Sequence, residues 1–494
     1  MASSLTGFNQ LCTIISSILM LIIALTWLYI TKSPKECNLT SVSNRNFNYY
    51  YGLVNVDNPL SYYSAEQPDS INSKCHLFYD SMHLFPSGDR SLSKSMIVQA
   101  LRGSGKTHMR QCIIARLPPK NQILIKIYGV DINNYLENFV QAIDFTSEPS
   151  YEKIRKYWTK EHFLQVILTE IVTRFVNEKY LEILKQRQNF ITLQTRKEIA
   201  VLLSFYYTKD PGTLCKMINL LLHEITECSI LDCSMPCENP KFNNGDQEMF
   251  IELTQRHNKI KVKRYTTAVD SSLKVLLAMY TKTKYSPLST LDRSYRDQLA
   301  SLINFLSTLH IATTVIVDSL DESIFFFNQV DTNLRTLQTF IDSITNDDIL
   351  HLALGNWGEG NEMKNSFAFY IFIPKKPNVL MNISWNRQDK IPIIDLKWDE
   401  LRLINYVDYI FDYLRSKTHH QCKSLPDICS LLGGRKLCIH TIKQLRHPRD
   451  FHIFFGALIQ HMNIVCRQRD SPFIAIEEDL KIALAETKLR ILEE

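Results

Sequence analysis

Lys106 and Thr107 stand directly after two glycines, Gly103 and Gly105, in the run A-L-R-G-S-G-K-T from Ala100 to Thr107. Residue types in this order suit the capture of a phosphate chain. Glycines let the backbone curl so that amide N–H groups from Arg102 through Gly103, Ser104, Gly105, Lys106 and Thr107 to His108 can turn inward on anionic oxygens, and a helix opening near Lys106 adds the positive end of its dipole. The Lys106 ammonium is then expected to reach the outer phosphates of a nucleotide such as ATP, and the Thr107 hydroxyl to ligate Mg2+. The chain departs from the pattern G-x-x-x-x-G-K-[ST] at its first position, where Ala100 replaces glycine. An ordinary glycine-rich turn is the alternative reading.

A second chemical group lies far along the chain, where Thr313 to Glu322 reads T-T-V-I-V-D-S-L-D-E. An apolar, β-branched run closed by acids suits a central parallel strand ending at the carboxyl edge of a sheet. There Asp318 could hold the Mg2+ water shell, while Asp321 or Glu322 orients or deprotonates an attacking water. Taken by itself the segment reads equally as a buried strand with an acidic turn. Together the two segments supply complementary halves of a site for a triphosphate and its metal.

Several elements must carry these groups to one rim. Met96 to Val98 leads into the glycine loop as a strand, Thr107 to Leu117 reads as a helix stopped by Pro118-Pro119, and Gln122 to Tyr128 reads as a strand. Asn133 to Ile143, Glu152 to Leu184, Thr195 to Tyr207 and Gly212 to Thr226 have helical periodicity, which predicts a helical insertion over about 131–300. Phe367 to Ile373 and Ile391 to Leu396 read as further strands, a helix follows from Asp399 to Ser416, and 399–494 reads as helical throughout. Strands separated by helices predict an α/β fold with an open, mostly parallel central sheet and a ligand at its carboxyl edge. The expected core spans 90–398 and the expected helical lid 399–494.

From Leu11 to Ile30 the chain is apolar, with no charged side chain before Lys32. About twenty residues at ~1.5 Å each match the ~30 Å hydrocarbon core, so one transmembrane helix is expected over 11–31, after a short tail at 1–10. A cleaved signal peptide fits less well, because no basic residue precedes the run and no small-x-small site follows promptly. Lys32, Lys35 and Arg45 lie after the span, which predicts a single-pass protein with its N-terminus outside or lumenal and the bulk of the chain cytosolic. Residues 32–89, rich in Asn, Ser and Tyr, read as a juxtamembrane linker running into the core's edge. Twelve irregularly spaced cysteines read as reduced thiols, and Cys228, Cys233 and Cys237 with His223 lack the paired spacing of a zinc site. The 56 basic residues barely exceed the 51 acidic ones and form no block, so nucleic acid is not an expected partner.

With both motifs placed, the chain resembles the additional-strand P-loop ATPases of the STAND and AAA+ group, which includes NACHT, KAP and origin-recognition-complex-like ATPases. V-I-V-D-S-L-D-E resembles the NACHT-type acidic motif, with Ser319 in its small position, and L-R-H-P-R-D-F-H-I-F-F (Leu445 to Phe455) is similar to the lid segment of such proteins. The resemblance implies that Arg449 is the lid arginine reaching the outermost phosphate. It departs from the group where Phe367 to Ile373 ends in Pro374-Lys375, without the Asn or Thr of many relatives, and it assigns no arginine finger, Arg387 and Arg402 standing as candidates by position only. The expected activity is ATP binding and hydrolysis as a conformational switch, with Mg2+ as cofactor. The alternative is a membrane-tethered nucleotide-binding scaffold with little turnover. The bilayer is the expected partner of the N-terminal helix, and the helical insertion is a place for a protein partner or self-association.

Overall fold

The computed structural model describes residues 46–51, 53, 95–117, 121–143, 147–177, 180–207, 209–222, 285–326, 331–354, 367–375, 382–417, 424–465 and 473–493. The expected span at 11–31, most of the linker, and His223 with Cys228, Cys233 and Cys237 lie outside these residues. Among the described residues no helix is long and apolar enough to cross a membrane. Two compact units divide the chain: Ala65–Lys397 forms one, and Met1–Ser64 with Trp398–Glu494 the other.

In the first unit five strands, β1 (Met96–Ala100), β2 (Gln122–Ile127), β3 (Ala312–Val317), β4 (Phe367–Pro374) and β5 (Ile393–Leu396), pair in parallel in the order β2-β3-β4-β1-β5. The sheet is all-parallel rather than mostly so; the links from β1 to β2, β2 to β3 and β3 to β4 carry helices, whereas the described part of the link from β4 to β5 carries none. Alternate side chains serve opposite faces. Met96, Val98, Ala100, Ile316, Tyr370 and Phe372 pack on one side with Met109 and Ile113, whereas Ile97, Val315, Val317, Phe369 and Ile371 join the larger helical core on the other. Strands covered on both faces need continuous apolar runs, and every residue of β4 is buried.

The connections fix where a ligand could lie. β1 leads away toward β2, while its neighbour β4 leads the opposite way, past β1, to β5. Adjacent strands whose continuations diverge leave a crevice at their carboxyl ends. The order also leaves one strand, β4, between the ends of β1 and β3, which are therefore about 10 Å apart at ~4.8 Å per strand.

The helices of this unit include α1 (Lys106–Arg116), α2 (Gly129–Ala142), α3 (Lys160–Asn177), α4 (Leu193–Tyr206), α5 (Pro211–Leu222), α6 (Tyr295–Thr308) and α7 (Asp331–Ile344). The single helix predicted over Glu152 to Leu184 is instead three pieces, Ser150–Tyr157, α3 and Leu181–Arg187. Tertiary packing overrides local propensity at the first break. Trp158 turns extended to bury its ring against Phe139 and Phe340, with its indole N–H donating to Ser343 Oγ at 2.9 Å. Cys112 is a free thiol, but Cys215 in α5 is disulfide-bonded, so the expectation of reduced cysteines does not extend to it.

The second unit includes α8 (Glu400–Lys417), α9 (Pro448–Val465) and α10 (Glu477–Glu493), which agrees with the helical reading of 399–494. The segment around Phe47–Tyr50, expected within the linker, is a helical turn belonging to this unit. Phe47 N–H donates to Asn463 Oδ1 at 2.8 Å, and Phe47, Tyr50 and Tyr51 gather around Phe473. Three aromatic rings in a polar stretch bury too much surface to remain a solvated tether.

Candidate functional site

Beyond Ala100 the chain leaves β1 through Leu101 to Gly105, with Ser104 N–H closing on the Leu101 carbonyl at 3.3 Å. Gly103 and Gly105 both take positive φ, at 82° and 95°. Other residues resist that conformation, so the loop needs glycine at both points. The space beside Gly105 holds no protein atom within 4 Å of where a Cβ would stand. No side chain caps α1, and its first turn carries no acid. Its leading N–H groups have no intrahelical acceptor, and they open the helix on the same side as the bared loop backbone.

Lys106, the first residue of α1, is 7% exposed and folds back so that Nζ donates to the Ala100 carbonyl at 3.2 Å, with Leu101 O at 3.5 Å. The Ala100 carbonyl also accepts the Lys375 N–H at the end of β4. These oxygens are neutral acceptors. A charged ligand would offer the lysine a stronger partner than either carbonyl. Thr107 and His108, half-buried, complete the turn, while Arg102 is exposed at the loop's tip.

Asp318 follows β3 directly and is 1% exposed. Its carboxylate accepts from Arg110 Nη1 at 2.7 Å, a buried ion pair between α1 and the acidic segment. Arg110 lies one turn after Lys106 on the same face of α1, and its guanidinium carbon sits 4.2 Å from the Tyr128 ring centroid. Burial pushes the Asp318 carboxyl upward, and the Arg110 guanidinium, the Ser319 N–H and the Lys106 ammonium oppose that, with Asp321 adding to it. Burial likewise pushes the Tyr128 phenol up to about 12. The Lys106 ammonium and the Asp318 carboxylate thus feel each other's charge, with Arg110 as the direct partner of the acid.

Past Asp318, Ser319 takes a positive φ of 58° and starts the short turn Leu320–Glu322. Asp321 is half-buried and Glu322 exposed. Two residues of α2 hold this turn in place. Asn133 Oδ1 accepts from Ser323 Oγ at 2.7 Å and from Ile324 N–H at 3.1 Å, and Gly129 lies so close that a Cβ there would stand 2.6 Å from the Ser319 carbonyl oxygen. Arg110, Tyr128, Gly129 and Asn133 all escaped the motif-based reading. Only the position of Arg110, four residues after Lys106 on a predicted helix, carried a signal for it.

At the other side of β1, Lys375 and Lys397 both pair with Asp395 of β5, at 2.5 and 2.9 Å. Arg449 belongs to the second unit, half-buried in the first turn of α9. Its neighbour Asp450 is 8% exposed and accepts the Arg446 N–H at 2.9 Å, serving the start of α9. Arg387 pairs with Asp389, and Arg402 with Asp399.

The arrangement suits a polyanion at the carboxyl edge. It does not suit a divalent metal held by Thr107 and Asp318, because the Asp318 carboxylate is buried and already taken by Arg110. Among the described residues no group of three or more His, Cys, Asp or Glu side chains could hold a metal ion. Comparison of the chain with protein-family models, with curated proteins and with solved structures finds no match.

Proposed function

We propose that this chain is a membrane-anchored P-loop protein that binds ATP at the carboxyl edge of its sheet and uses hydrolysis to reset a conformational switch. The observation that carries the reading is the loop after β1, where two left-handed glycines, an uncapped helix start and a buried lysine bonded to two backbone carbonyls converge beside the crevice between β1 and β4. The strand order supports it, since β4 lies between the glycine loop and Asp318 as in an additional-strand sheet. In this reading backbone N–H groups of residues 102–108 hold the phosphates, Lys106 turns from its carbonyls to the outer phosphates, and Asp321 or Glu322 orients the attacking water. Arg449 is proposed to act from the lid, and Leu11 to Ile30 to anchor the protein with its bulk in the cytosol.

ATP binding and turnover by the full chain in detergent, set beside Lys106→Ala, test the proposal. Lys106→Ala should abolish binding and turnover together; equal values in both proteins would sink it. One observation favours a second reading, a tethered nucleotide-binding scaffold with little turnover: the Arg110–Asp318 pair occupies the carboxylate that hydrolysis would use for metal. Tight ATP binding without multiple turnover would select this second reading.

A further inference from the structure

Resting on the nucleotide-binding reading above, we infer that Arg110 fills the place at Asp318 that a divalent cation would take, so that the site binds a nucleoside triphosphate as the free polyanion, without metal. Asp318 is the acid that would be asked to serve a metal, yet it is 1% exposed and lies 2.7 Å from Arg110 Nη1. Its carboxylate also accepts the Ser319 N–H. Arg110 is equally fixed, 8% exposed at its side chain and stacked over Tyr128. A metal reaching Asp318 would have to displace a guanidinium that is buried, charged and held from a second side. Separating such a pair leaves an uncompensated charge in the interior, which the fold resists.

Lys106 and Arg110 occupy one face of α1 in successive turns, so two cations stand where comparable sites combine a lysine with a metal. With one of them neutralised by Asp318, the Lys106 charge remains for phosphate, and Arg110 lends its field from behind the carboxylate. The site therefore carries its counter-charge within the fold.

ATP titration calorimetry on the full chain, in excess EDTA and again in excess MgCl2, tests this. The expected Kd values agree within about threefold, less than the 1.4 kcal/mol that corresponds to tenfold. Arg110→Gln frees the carboxylate and should make binding metal-dependent by about tenfold or more. Should that variant fail to fold, Asp318→Asn keeps an acceptor for Arg110 and should bind ATP in EDTA at least as tightly as the natural chain does. Weakening of the natural chain's affinity by about tenfold on chelation would overturn the inference and leave ATP binding standing. Absence of ATP binding under both conditions would instead overturn the nucleotide reading, and this inference with it.

Discussion

Replacing Arg110 by Met tests how the two chemical segments are joined. The pair it forms with Asp318 spans α1 and the end of β3, and both side chains are almost fully removed from water. Methionine roughly keeps the aliphatic volume but removes the guanidinium, leaving a buried carboxylate with no counter-charge. Truncating one partner of a buried pair costs about 3–5 kcal/mol. Loss of the contact with Tyr128 adds roughly 1 kcal/mol. Protonation of Asp318 limits the damage, since a neutral acid needs no cation. A variant carrying both Arg110→Met and Asp318→Leu should therefore recover most of the loss, giving a coupling energy of about 2–4 kcal/mol in a double-mutant cycle read by urea denaturation. A loss below about 1 kcal/mol for Arg110→Met, or single-variant losses that simply add, would refute the claim that this pair pins the loop to the acidic strand.

Gly129→Ala places a methyl 2.6 Å from the Ser319 carbonyl, so the acidic turn must move; a loss of about 1–3 kcal/mol and weakened ATP binding are expected, and unchanged binding would show that the turn is not tied to the site. His162 packs against Phe139 and Trp158, and burial lowers its pKa to about 4. Folding thus favours its neutral form: the contribution is fully present above the unfolded value near 6.5 and is lost as pH falls toward 4, up to about 3 kcal/mol, and His162→Gln should flatten a stability profile measured over that window. Asp450→Ala removes the acceptor of the Arg446 N–H and should lower the stability of the second unit by about 1 kcal/mol in thermal unfolding. Asn382 is exposed within an N-x-S sequon, and the proposed cytosolic location of the body requires that it carry no glycan; a glycosidase-sensitive mobility shift on expression in eukaryotic membranes would overturn that location and place the body on the oxidising side, where the Cys215 disulfide is at home.

Much of the sheet was legible because its strands are buried on both faces. Phe367 to Ile373 cannot be anything amphipathic, and the β-branched run before Asp318 ends where the strand ends. The glycine loop was legible because glycine takes the positive φ values at residues 103 and 105 without the steric cost that other residues meet there. What local pattern could not reveal depends on partners distant in sequence. The break at Trp158 follows from Ser343 and Phe340, and the Asp318 pairing from a residue 208 positions away. Gly129 fell between the predicted strand and the predicted helix with no signal of its own, and only the approach of Ser319 shows why its missing Cβ is necessary. The Phe47 segment read as tether because the ring it meets, Phe473, lies near the other end of the chain.

That last contact has a consequence for biosynthesis. Phe47 and Asn463, bonded through one N–H, are 416 residues apart, with the whole sheet-bearing unit made in between. At about 5–20 residues per second, the ribosome needs roughly 20–80 s to deliver the acceptor. Throughout that interval the aromatic cluster at Tyr50 and Tyr51 must wait for its cover, so a segment that emerges early is among the last to find its seat.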